Sequence, residues 1–82
     1  MVDRKKIRGR WYSIVEDVPK AGDYVFYYDR GWRGGFIDRV HNGRKHRYVV
    51  IAPMKLKIGR KNHVIRPKKK VELRAIREIC RR

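Results

Sequence analysis

The chain has 82 residues, of which 24 are Lys or Arg and 8 are Asp or Glu, so its formal net charge is +16. This length allows one small domain, and the longest apolar run, residues 49–54, is too short to cross a bilayer and contains a proline. No apolar stretch follows the basic N-terminus, which argues against a secretory signal. The single cysteine, Cys80, cannot form an internal disulfide and suits a reducing cytoplasm.

The N-terminal half predicts a basic arm followed by two strands. Residues 1–10 hold five Lys or Arg and are expected to form a flexible arm that follows a nucleic-acid backbone. Residues 9–15 predict a short strand, and residues 24–28, which are β-branched and aromatic, predict another after a Pro/Gly turn. In that second strand one alternating set of side chains is expected in the core and the other partly exposed.

The middle of the chain predicts hairpins. Residues 36–41 and 47–52 predict two strands, and Asn42-Gly43 between them predicts a two-residue type I′ turn, whose positions both need a positive φ. Residues 54–58 alternate strictly, with Lys55 and Lys57 on the face opposite Met54, Leu56 and Ile58, and residues 63–66 can pair back on them.

The C-terminal segment predicts a helix. Residues 71–80 carry apolar side chains at helical spacing, and a final strand at 71–75 is the alternative. Short strands separated by Gly, Pro and Asn turns favour a mostly β fold, a small antiparallel barrel of about five strands. The expected organisation is therefore an arm at 1–10, a barrel at 11–70 and an amphipathic helix at 71–82. The aromatic side chains expected mainly in the core are Trp11, Tyr24, Phe26, Phe36 and Tyr48.

Four short segments carry a family resemblance. Gly22-Asp23-Tyr24-Val25, residues 32–40, Asn42-Gly43 and Tyr48-Val49-Val50-Ile51 resemble the SH3-like small barrels. Tudor and KOW modules and the C-terminal DNA-binding domains of retroviral-type integrases belong to this group. The resemblance covers about residues 22–66 and implies an SH3-like barrel that acts as a binding module. It does not fix the ligand, because such barrels bind DNA, RNA or peptides.

The charge is concentrated in one segment, because residues 41–70 contain eleven Lys or Arg and no acidic residue. This asymmetry predicts a surface that contacts a polyanion. The expected surface is a single basic face of the hairpins, lined by Lys55, Lys57, Arg60, Lys61 and Arg66, with Arg44, Lys45 and Arg47 nearby. Trp32 and Arg33, in the glycine-rich segment 29–35, are further candidates for ligand contact. The predicted nucleic-acid-binding residues are Arg44, Lys45, Arg47, Lys55, Lys57, Arg60, Lys61, Arg66, Lys68, Lys69, Lys70, Trp32 and Arg33.

Catalytic motifs are lacking in the sequence. His41, His46, His63 and Cys80 have no zinc-site spacing, the carboxylates are scattered, and Gly31, Gly34 and Gly35 suit turns better than a phosphate loop. We therefore expect no metal, no cofactor and no enzymatic activity. The favoured function is largely sequence-nonspecific binding of duplex DNA by a cytoplasmic or nucleoid-associated, chromatin-type protein, with no membrane partner. The alternatives are a structured-RNA or ribosome-associated KOW-like binder, a Tudor-like peptide-recognition module and, last, a metal-free toxin-type ribonuclease. A homodimer is left open.

Overall fold

The structure, a computed structural model, describes residues 3–82. Within these residues it is mostly strand, as predicted, and its one helical element is a short 3-10 turn. The elements are β1 (Arg4–Ile7), β2 (Arg10–Val15), β3 (Tyr24–Tyr28), β4 (Trp32–Asn42), β5 (Arg47–Ile51), β6 (Met54–Ile58), β7 (Lys61–Arg66), β8 (Lys69–Glu72), a 3-10 turn (Leu73–Ala75) and β9 (Ile76–Arg81).

Seven of the strands form one antiparallel sheet in the order β1-β2-β9-β3-β4-β5-β8. Strands β6 and β7 pair only with each other and form a separate two-stranded sheet. β1 and β8 are the two ends of the large sheet, so the sheet is not closed into a barrel. The mostly β class is confirmed, whereas the predicted barrel closure is not observed.

The predicted C-terminal helix is wrong. Val71 and Glu72 end β8, a single 3-10 turn follows, and β9 then lies in the interior of the sheet between β2 and β3. Ile79 and Cys80 are neighbours in sequence and both are buried, but Ile79 belongs to one apolar cluster and Cys80 to another. Burial of consecutive residues on opposite sides is the pattern of a strand with two covered faces, not of an amphipathic helix.

The N-terminal segment predicted as an arm contains strand β1. A turn at Arg8 and Gly9, both with positive φ, reverses the chain so that β1 pairs with β2. Ile7 is buried with Tyr12 and Cys80, and the Lys5 ammonium lies 2.7 Å from a Glu78 oxygen. These contacts attach the segment to the sheet.

The turn after β4 also differs from its prediction. β4 continues through Asn42, which pairs with Arg47, so residues 43–46 make a four-residue connection. The Gly43 N–H donates to the His46 carbonyl at 3.0 Å, and neither Asn42 nor Gly43 has a positive φ. The type I′ turn is therefore wrong, although the hairpin is present.

Two apolar clusters stabilise the sheet, one on each face. Val25 and Tyr27 belong to the larger cluster, and Tyr24 and Phe26 pack on the smaller one, as the alternation in β3 predicts. Trp11, expected in the core, is exposed instead, with the Lys6 ammonium 6.0 Å from its ring centroid. The remaining members of the larger cluster's buried core are Ile37, Val49, Ile51, Val71 and Ile79.

Gly34 and Gly35 lie within β4 rather than in a turn, paired with Phe26 and Val25. A side chain at Gly35 would overlap Ile51, and one at Gly34 would overlap the Tyr24 ring. The two glycines therefore allow close packing across the sheet.

One buried carboxylate links the C-terminal strand β9 to the segment that precedes β3. Asp23, which directly precedes β3, accepts hydrogen bonds from the Arg81 guanidinium at 3.0 and 2.9 Å and from the Lys20 N–H at 2.9 Å. Asp17 accepts a further bond from Arg81 at 2.8 Å, and this bond lowers the pKa of Asp17.

Within residues 3–82, no helix has the length and apolar character needed to cross a membrane.

Candidate nucleic-acid interface

The β6–β7 hairpin, residues 54–66 and called here the ribbon, is the most exposed part of the molecule. Every residue of β6 and β7 is exposed except the half-buried Met54. The ribbon carries five of the predicted binding residues, namely Lys55, Lys57, Arg60, Lys61 and Arg66. Its strands form where alternation predicted them, and β7 begins two residues earlier than expected.

The two faces of the ribbon differ from the predicted single basic face. Lys55 pairs with Val64 and Lys57 with Asn62, so these four side chains share one face. Ile58 pairs with Lys61, which places that lysine on the opposite face. Cations therefore project from both faces of the ribbon, and Arg60 lies in the turn at its tip.

A second group of cations lines a pocket of about 1050 Å³ next to the β4–β5 connection, called here the basic pocket. Its predicted binding residues are Arg44, Lys45, Arg47 and Lys70. Glu72 is the one carboxylate that lines it, and Arg74 forms an ion pair with Glu72.

The floor of the basic pocket contains an aromatic stack that was not predicted from the sequence. The rings of His41 and Tyr48 are stacked, with centroids 4.7 Å apart and planes 19° from parallel, and the Lys70 ammonium lies 5.0 Å from the Tyr48 centroid. His41 and Tyr48 are cross-strand partners. Had the sequence analysis assumed a four-residue connection between Asn42 and Arg47, it would have predicted that His41 and Tyr48 are cross-strand partners.

A groove of about 640 Å³ separates the base of the ribbon from the large sheet. The predicted residues Arg33, Lys55, Arg66, Lys68 and Lys69 line it. Two of these are neutralised locally, since the Lys68 ammonium lies 3.4 Å from an Asp38 oxygen and Lys69 forms an ion pair with Asp29.

Trp32 lies at the start of β4 and is 67% exposed. It contacts its cross-strand partner Tyr28 edge to face, with ring centroids 5.7 Å apart. The neighbouring Arg33 donates a hydrogen bond to the Asp29 carbonyl at 3.1 Å. The structure thus presents an aromatic pair where the sequence singled out Trp32 alone.

The acidic residues are used mainly within the large sheet. Six of the eight carboxylates form ion pairs, at Asp17, Asp23, Asp29, Asp38, Glu72 and Glu78. By contrast, ten predicted binding residues are cations with no carboxylate within ion-pair distance in residues 3–82. They are Arg33, Arg44, Lys45, Arg47, Lys55, Lys57, Arg60, Lys61, Arg66 and Lys70. Nine of these ten cations lie on the ribbon or line the basic pocket.

Groups with metal-binding or nucleophilic chemistry are dispersed. In the described part of the chain, no three His, Cys, Asp or Glu side chains lie together in a way that could hold a metal ion. Cys80 is buried, and burial raises the pKa of its thiol.

No family model, curated protein or solved structure matches the chain.

Proposed function

We propose that this protein is a non-catalytic DNA-binding protein that holds duplex DNA mainly through its phosphates, with weak sequence preference. The observation that carries the proposal is the group of ten predicted cations without carboxylate partners in residues 3–82, five of them on an exposed ribbon. Unpaired Lys and Arg side chains gain most from phosphates, because each contact releases condensed counterions.

The shape of the ribbon favours a duplex. A groove of duplex DNA has a phosphate backbone on each side, and Lys57 and Lys61 lie on the two different strands of the ribbon, β6 and β7. A ribbon inserted in a groove can therefore contact both backbones, and Arg60 at its tip can follow the groove floor. A cytoplasmic or nucleoid-associated location and an SH3-like origin of the sheet are parts of this proposal. The SH3-like origin is supported by the resemblance over residues 22–66, whose paired segments correspond to β3, β4 and β5.

Structured RNA is the second candidate, and the basic pocket favours it. Proteins recognise unpaired RNA bases by stacking them on aromatic rings beside cations. The stack of His41 and Tyr48, ringed by Arg44, Arg47 and Lys70, has that composition.

A Tudor-like peptide site and a metal-free ribonuclease have less support. Lys5 lies 4.4 Å from the Phe26 centroid and Arg8 lies 5.4 Å from that of Phe36, so intramolecular cations already cover the half-buried aromatic cluster that a peptide site would use. A metal-free ribonuclease would require the histidines of the basic pocket to act as acid and base, and intact RNA after incubation with the protein would exclude it.

The test is a mobility-shift titration of duplex DNA, single-stranded DNA and a structured RNA of equal length at several salt concentrations. We expect the tightest binding to duplex DNA and at least a hundredfold loss for Lys55→Glu with Lys57→Glu. A control with the same charge change outside the ribbon, Lys20→Glu with Arg77→Glu, should lose much less. Equal binding by the ribbon variant and the unmodified chain would contradict the proposal, and tighter binding to RNA at every salt concentration would favour the second candidate.

A further inference from the structure

The ribbon exposes large aliphatic side chains as well as cations. Leu56, Ile58, Val64 and Ile65 are each between 50% and 59% exposed, and all four lie within ten residues of sequence. Single exposed aliphatic residues are ordinary, but a concentrated group of them on a projecting element indicates a contact surface.

Two of these side chains are neighbours on one face. Leu56 and Ile58 are two residues apart in β6, and their cross-strand partners are His63 and Lys61. Alternate residues of a strand are about 6.6–6.8 Å apart. Stacked base pairs rise about 3.4 Å per step, so the separation of the two side chains matches that of two gaps lying two base-pair steps apart.

The surrounding charge limits what can cover this face. A second copy of the chain would bring Lys61 and Arg60 with it and would be repelled. An apolar protein surface would bury the Lys61 ammonium without a carboxylate partner. Duplex DNA offers apolar base-pair faces within a few ångströms of phosphate anions, so it satisfies both kinds of side chain.

We infer that Leu56 and Ile58 wedge between base pairs from the minor groove and bend the DNA away from the protein. This inference rests on the proposed function. Straight B-DNA has a minor groove of about 6 Å, too narrow for two strands with their side chains. Wedged aliphatic side chains open the groove and kink the duplex toward the major groove by roughly 20–90°. The ribbon therefore enters the minor groove only as the DNA bends.

The test measures the end-to-end distance of a duplex of about 25 base pairs by energy transfer between dyes at its ends, with the full chain at low salt. We expect the unmodified protein to shorten this distance and to raise the fluorescence of 2-aminopurine placed at the centre, because a base is unstacked. Leu56→Ala with Ile58→Ala should bind about tenfold more weakly, keep the same salt dependence and leave the duplex straight. Val18→Ala, which truncates an exposed aliphatic residue outside the ribbon, should behave as the unmodified chain.

The outcomes separate the two proposals. No binding of the unmodified protein to duplex DNA overturns the proposed function. Salt-dependent binding without bending overturns the wedge alone, and so does unchanged bending by the double variant. Circular dichroism of the variant checks that the fold is intact. Vesicles of phosphatidylserine and phosphatidylcholine form a further arm. If the double substitution abolished vesicle binding and left DNA bending unchanged, the aliphatic face would be assigned to membranes.

Discussion

Removing charge from the ribbon should flatten the salt dependence of DNA binding by a calculable amount. The ribbon holds five cations without carboxylate partners among residues 3–82. If each contacts one phosphate, the slope of log affinity against log salt is about −4.5, at −0.9 per contact. A rise from 50 to 200 mM salt should then weaken binding about 500-fold. Neutralising two contacts with Lys55→Gln and Lys57→Gln reduces the slope to about −2.7 and the loss to about 40-fold.

The assay is fluorescence anisotropy of a labelled duplex of about 20 base pairs titrated at four or more salt concentrations. The control is Lys20→Gln with Arg77→Gln, which removes the same charge outside the ribbon. Lys20 lies 3.9 Å from an Asp17 oxygen, and Arg77 donates to the Arg74 carbonyl. Equal changes of slope in both variants would mean that net charge alone determines binding. A slope near zero for the unmodified chain would refute the phosphate contacts altogether.

Three further predictions concern the sheet that supports the ribbon. Gly35→Ala should lower the free energy of unfolding by about 1–3 kcal/mol in urea, because its methyl group overlaps Ile51, and an unchanged midpoint would refute the overlap. The hydrogen bond from Arg81 lowers the pKa of Asp17, so its stabilisation is present above the ordinary value of 3.8 and lost as the pH falls further. The difference in urea midpoint between the unmodified chain and Asp17→Asn should therefore shrink from about pH 6 to pH 3, and a constant difference would contradict this. The Cys80 thiol, buried and with a raised pKa, should react with a thiol reagent only after unfolding; fast labelling of the native chain would disprove its burial.

The elements predicted correctly are those whose structure is determined by residues close together in sequence. β3 and β6 form over the predicted residues, because alternation and β-branched or aromatic side chains are sufficient to define a strand. The hairpin of β4 and β5 was also predictable, although its turn was not. Its four-residue connection follows from the extension of β4 through Asn42, and that extension depends on pairing with β5.

The elements that were missed depend on distant partners. β9 has apolar spacing compatible with a helix, but it pairs with both β2 and β3, and these partners are 49 or more residues away in sequence. β8 begins in the lysine run, two residues before the strand considered as the alternative at 71–75, and it forms by pairing with β5. Tertiary pairing overrides local propensity at both places.

The candidate interface was predictable in composition and less so in arrangement. The lack of acidic residues in 41–70 identified the segment, but alternation could not show that both faces of the ribbon are exposed. It also could not show that Lys68 and Lys69 are paired with Asp38 and Asp29, since those ion pairs join residues about thirty or more positions apart. Charge counted along the sequence therefore overstates the part these two lysines play.

The distribution of carboxylates separates the parts of the chain that stabilise the fold from those free to bind. Ion pairs such as Arg81 with Asp23 and Lys5 with Glu78 lie within the large sheet, where they attach the two chain ends to neighbouring strands. The ribbon contributes nothing to the two apolar clusters and carries no carboxylate. Its cations repel one another, and this repulsion disfavours the free ribbon while a bound polyanion relieves it. A ribbon with no part in the core can change its charge at little cost to folding, so substitutions there should alter DNA affinity by orders of magnitude and leave the unfolding midpoint nearly unchanged.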